Sequence, residues 1–168
     1  HLDDCTGYRG PREALMPKED AIVHDRPALR RARLATRIAL GGALVFAGVS
    51  HLTFARQEFR AQVPPWLPID EEVVVVASGV VEIALGAAIA ALPSQRVRTG
   101  WLVAAFFVAV FPGNIAQLVE QRDAFGLDTD AKRLGRLPFQ AVLIAGALWS
   151  TAAWRDRRAI LGKVDPRT

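Results

Sequence analysis

Cysteine is nearly absent. The single one, Cys5, stands near the start of a 168-residue chain, which excludes an intrachain disulfide, a CxxC redox pair and any cysteine-based metal site. Histidine and acidic residues nowhere fall into a metal-ligand spacing, and no serine sits in a nucleophile elbow with a base beside it. Self-contained catalysis is therefore not expected. No repeat of 20–50 residues is evident. Charge is scarce in four long stretches, while nearly all of it lies in the first 37 residues, the connections and the last 14. That segregation argues against nucleic acid as a partner despite a net charge of +4, because the basic residues flank apolar runs instead of forming one stripe.

What is present is hydrophobic length. The composition is 51% hydrophobic and the mean hydropathy is +0.19, so averages decide little and distribution decides much. The runs lie at residues 34–54, 73–92, 100–119 and 136–154. At about 1.5 Å per residue a 20-residue helix spans roughly 30 Å, the hydrocarbon thickness of a bilayer. The predicted fold class is all-α, an integral membrane four-helix bundle. Its predicted organisation is a flexible polar and basic tail (1–33), a transmembrane domain (34–154) and a basic C-terminal tail (155–168). Met16 is the only methionine, so residues 1–15 are read as a segment that need not belong to the native protein.

The first run follows Arg26, Arg30, Arg31 and Arg33, which also suits a signal peptide. It is too long for one and no cleavage site follows it, so it is read as an uncleaved span. The connection after it holds Val63-Pro64-Pro65-Trp66-Leu67-Pro68. Three prolines stop a helix there, and the apolar residues between them suit the headgroup level, so Pro64, Pro65, Trp66 and Pro68 are assigned to the membrane interface. Pro112 is expected to kink the third helix. Lysine and arginine number twelve beside the two termini and the second connection, against six in the first and third connections. Both termini are thereby expected in the cytoplasm.

With this topology each intramembrane polar residue has a depth. Glu82, near the middle of the second run, lies about 15 Å below the outer boundary; His51, Asn114 and Gln140 lie about 5–8 Å below it, with Ser50 just beneath His51. Each helix thus contributes a polar group to the outer half of the membrane. A carboxylate at mid-depth costs about 2.5–3.5 kcal/mol even on lenient scales. Ser78, Gly79, Gly86 and Ala90 share the Glu82 face and admit a close neighbour, whereas Val80, Val81 and Leu85 are placed on the flanks toward lipid. Glu82 is read as pointing inward, protonated or paired with His51, Asn114 or Gln140. Structural readings stand beside the functional ones. Glu82 suits a neutral acid bonding across helices, His51 an interface residue, Asn114 a partner for a carbonyl freed by Pro112, and Gln140 a cap after Pro138.

Five segments, in order, resemble the DoxX-like family of small bacterial membrane proteins. They are Phe46-Ala47-Gly48-Val49-Ser50-His51, Val63-Pro64-Pro65-Trp66-Leu67-Pro68, Ser78-Gly79-Val80-Val81-Glu82-Ile83 with Gly86, Val110-Phe111-Pro112-Gly113-Asn114-Ile115, and Leu137-Pro138-Phe139-Gln140. The resemblance implies a four-helix protein of the bacterial inner membrane. It carries over no catalytic residue. The family takes its name from a subunit of a thiosulfate:quinone oxidoreductase, and relatives are linked to redox complexes.

The expected function is a small membrane subunit whose polar pocket (His51, Glu82, Asn114, Gln140, Ser50) binds a lipophilic ligand, a quinone or a lipid. Its partners are then the bilayer and either redox-complex subunits or further copies of itself. At most it is the membrane subunit of a quinone-linked oxidoreductase. The alternatives are a scaffold subunit without ligand and, third, small-solute transport by an oligomer.

Overall fold

Helix α1, Pro27–Leu52, opens on a proline whose fixed φ suits a first helical turn. The computed structural model describes residues 27–157. Residues 27–33, expected within the flexible tail, are instead the first two turns of α1; the rest of that tail and residues 158–168 lie outside the described part. A short helix α2, Arg56–Arg60, follows, and turns lead through the prolines to α3, Glu71–Ala91. Asp70 caps α3, its carboxylate accepting from the backbone N–H of Glu72 at 2.8 Å and of Val73 at 3.3 Å. A 3₁₀ turn, Pro93–Gln95, passes into α4, Arg96–Val119. Pro112 does not end α4, which continues past it as helix.

Helix α5, Asp130–Ser150, begins six residues earlier and ends four residues earlier than the 136–154 run. Thr129 Oγ1 caps its start. Its end is a Schellman turn: Ala152 takes φ 54°, Ala153 N–H donates to Leu148 O at 2.9 Å and Ala152 N–H to Trp149 O at 3.1 Å. Helix α4 stops the same way at Gln121, φ 52°, with Arg122 N–H on Gln117 O at 3.1 Å. No glycine marks either stop, so the apolar pattern alone runs past the second.

Helix α1 packs most extensively on α3 and α4 on α5, while α1 also meets α5 and α3 meets α4. The α1–α3 contact is antiparallel and made backbone to backbone. A Cβ on Gly48 would stand 2.5 Å from Gly79 O, and one on Gly86 would stand 2.6 Å from Gly41 O. Where the four long helices meet, Leu40, Leu44, Ile89, Val103, Phe107 and Ala147 form the core. Leu85, expected toward lipid, packs against that core.

The outer surface is apolar. Phe46, Val80, Leu102, Val108, Phe139 and Val142 are all exposed, and only 22% of the apolar window of α3 is buried within the protein. Water solvates so large an apolar surface poorly. Three helices, Pro27–Leu52, Glu71–Ala91 and Pro93–Val119, are long and apolar enough to cross a membrane. Helix α5 matches α3 in length but carries Asp130, Lys132, Arg133 and Arg136 in its first turns. All described elements are helices and turns, with no strand among the described residues.

Candidate functional site

The site follows from the glycine contact. His51 lies three residues beyond Gly48 in α1, and Glu82 three residues beyond Gly79 in α3. In antiparallel helices those offsets separate the two Cα atoms by about 9 Å along the axis. Side chains, however, lean toward the N-terminus of their own helix. His51 and Glu82 therefore lean toward each other across the Gly48–Gly79 contact. Their Nδ1 and Oε2 atoms lie 2.8 Å apart, too poorly aligned for a hydrogen bond, and neither atom has a hydrogen-bond partner among the described residues. Both residues are buried, at 4% and 8% exposure.

Asn114 and Gln140 make a second polar contact on the α4–α5 side. Asn114 Nδ2 donates to Gln140 Oε1 at 3.2 Å, and Gln140 Nε2 donates to the Phe107 carbonyl at 2.5 Å. Gln140 thus spans to α4 and does not cap its own first turn. Asn114 likewise bonds across helices. All four residues, His51, Glu82, Asn114 and Gln140, line one cavity of about 490 Å³. Ser50 does not line it; its hydroxyl donates to Phe46 O at 2.8 Å in its own helix. Of the interface residues, Pro64 and Trp66 line the cavity, whereas Pro65 and Pro68 do not. Trp66 remains 67% exposed, at the rim. Most of the remaining wall is apolar, including Leu44, Val75, Phe107 and Leu143.

Part of the wall is built by residues the sequence does not single out. Phe59, on α2, lies against the His51 ring, tilted 52° to it with centroids 3.4 Å apart. Phe125, in the α4–α5 connection, meets Phe59 edge-on at 4.7 Å, and the Arg136 guanidinium lies 5.4 Å from the Phe125 ring centre. This row runs from α1 to α5 and shields the imidazole from water. Arg136 is held by the Gln62 amide, whose oxygen, oriented toward the donors, accepts at 2.7 and 3.0 Å. Gln117 Oε1 accepts a further bond from it at 3.4 Å. Glu72 pairs with Arg56 at 2.8 Å and with Arg60, fixing α2 to the start of α3. Arg133, 5% exposed, pairs with Asp130 at 2.7 Å and with Asp123, fixing the connection beneath Phe125. Sequence reading missed the row because five residues of α2 carry no periodic signal, and because Arg136 counts there as a flanking charge.

Chemically, the cavity offers two separated hydrogen-bonding poles across an apolar middle. One is the His51–Glu82 pair; the other combines the Asn114 and Gln140 amides with the Arg136 cation. Among the described residues the only hydroxyl in the wall is that of Ser78, which donates to Val75 O at 3.1 Å. Among the described residues no three histidine, cysteine, aspartate or glutamate side chains converge on one point.

Fold and site together define an all-α protein with helices suited to a membrane and a polar-ended cavity between them. The chain belongs to the family described as Domain of unknown function (DUF8561), whose family model matches residues 40–151. Every residue lining the cavity falls inside that stretch. No curated protein matches the chain, and no solved structure does.

Proposed function

We propose that the chain is a small multi-pass protein of a bacterial inner membrane, a four-helix bundle with both termini in the cytoplasm. Its cavity binds a lipophilic ligand with polar groups at both ends. The observation that carries this reading is a buried His51–Glu82 pair, 2.8 Å apart, in the wall of a largely apolar cavity of about 490 Å³. A quinone fits that description: two carbonyls on a flat apolar ring, one accepting a hydrogen bond from the His51–Glu82 pair, the other facing Asn114, Gln140 or Arg136. The resemblance to the DoxX-like family points the same way, toward a subunit of a quinone-linked redox complex. Trp66 at the cavity rim supplies the test. A short-chain quinone added to protein in mild detergent should quench tryptophan fluorescence saturably, and Trp66→Phe should abolish the saturable part. Quenching that stays linear in quinone concentration, or that survives Trp66→Phe unchanged, counts against this reading.

A scaffold role without ligand has one observation in its favour: the Gly41–Gly86 and Gly48–Gly79 contacts already join α1 to α3 without help from the polar residues. On that reading Glu82→Gln leaves function intact while Gly79→Leu destroys it.

A further inference from the structure

A second cleft lies at the opposite end of the molecule, where α1 begins and α5 ends. It holds about 630 Å³ and is walled by Arg30, Arg31, Arg33, Arg37, Arg96 and Arg155. Helix α1 contains no carboxylate, and its first turn in particular has none. Its N-terminus therefore presents the positive end of the helix dipole together with Arg30 and Arg31, an arrangement that favours an anion nearby. Arg30, Arg33 and Arg37 share one face, at intervals of three and four residues.

Part of this charge is answered within the protein. Asp156 pairs with Arg96 at 2.8 Å and with Arg155 at 3.0 Å. Burial pushes its carboxyl up, but the hydrogen bonds from Arg155 and Arg96 outweigh that and hold it below the usual carboxylate range. Arg96 also donates to Thr151 O at 2.8 Å, and Arg33 lies 5.7 Å from the centre of the Trp149 ring. Arg37 is different. It is only 9% exposed, it lines the cleft, and its buried Nε meets no hydrogen-bond acceptor among the described residues. A buried guanidinium without a counter-charge is costly. The planar fork of an arginine matches the oxygens of a phosphate.

We propose that this cleft is a binding site for a phosphate-bearing anion, seated on Arg37 and clamped by Arg30 and Arg31. On the membrane reading above, the source is the headgroup of an anionic phospholipid; a soluble phosphate offers the same chemistry. The site is separate from the cavity. Arg37 and His51 stand about 21 Å apart along α1.

The test is thermal unfolding of the full chain in neutral detergent, titrated separately with phosphatidylglycerol, phosphatidylcholine and inorganic phosphate. Phosphatidylglycerol should raise the midpoint saturably and phosphatidylcholine should not. Arg37→Gln should weaken the phosphatidylglycerol effect by about tenfold, with Arg37→Lys between the two. A rise with inorganic phosphate alone, lost in Arg37→Gln, supports the site with a soluble ligand as its source. Should Arg37→Gln not fold, the exposed pair Arg30→Gln/Arg31→Gln is read in its place and should weaken binding severalfold. Equal effects of the two lipids with none from phosphate, or a phosphatidylglycerol effect that the folded variants leave unchanged, overturns the proposal.

Discussion

At the scale of single residues, the His51–Glu82 pair concentrates the energetic risk. Each is the other's polar partner inside the protein, so removing one strands the other. His51→Phe should destabilise by about 1–3 kcal/mol through the unpaired carboxyl. The double variant His51→Phe/Glu82→Leu should recover part of that loss, giving a coupling energy that reports the pair itself. Thermal unfolding of the two single variants and the double variant measures it; additive effects would deny the pairing. The pairing was partly legible from sequence. Depth placed His51, Glu82, Asn114 and Gln140 in the outer half of the membrane, and they do line one cavity. Ser50 shared their depth but turns to the Phe46 carbonyl, because a serine in a helix can satisfy itself within its own preceding turn. Arg136 was passed over for the opposite reason: a flanking arginine and a cavity arginine look alike until Gln62 and Phe125 are seen beside it.

At the scale of elements, the α1–α3 contact decides whether the site exists. Gly48→Ala places a Cβ against Gly79 O and should cost about 1–3 kcal/mol as the helices are forced apart, while also separating His51 from Glu82. Gly42, with nothing within 4 Å of its added Cβ, is the control. Gly42→Ala should gain about 0.5–1 kcal/mol from helix propensity. Unfolding midpoints that move together for the two variants would show that proximity at Gly48 is immaterial. Helix ends offer a second check. Gln121 holds a left-handed conformation at φ 52°, so Gln121→Gly should stabilise by roughly 0.5–1 kcal/mol, read as a raised midpoint. These ends also mark the limit of sequence reading. The apolar run located α3 to within two residues, from 73–92 to Glu71–Ala91, and the Asp70 cap fixes where it starts. The end of α5 was placed four residues late because Ala152 makes the turn where glycine usually would. The short helix α2 was missed because its hold on α3 is tertiary: Arg56 and Arg60 meet Glu72 only once the chain has turned back.

At the scale of the whole molecule, the two ends are chemically unlike. One walls a mostly apolar cavity with aromatic rings; the other opens a cleft among arginines. An inner-membrane orientation with both termini in the cytoplasm puts the cavity outward and the arginines inward. In a Cys5→Ser background, Gln57→Cys should react with a membrane-impermeant maleimide in spheroplasts, and Arg157→Cys only after lysis. The reverse pattern would invert the topology. The general architecture was readable because segregation of charge from apolar length is a property of the whole chain. The arginine cleft was not, since it needs α1, α4 and the turn after α5 brought together.

The central claim, a cavity that holds a lipophilic ligand through Glu82, is tested most directly by what the purified protein carries. Wild type and Glu82→Gln, isolated in the same mild detergent from the same bacterial membrane, are extracted with organic solvent and their quinones quantified by mass spectrometry per mole of protein. The account predicts quinone near stoichiometric in wild type and about tenfold less in Glu82→Gln, with both proteins folded. Quinone at the detergent background in wild type, or equal in the two, would contradict it.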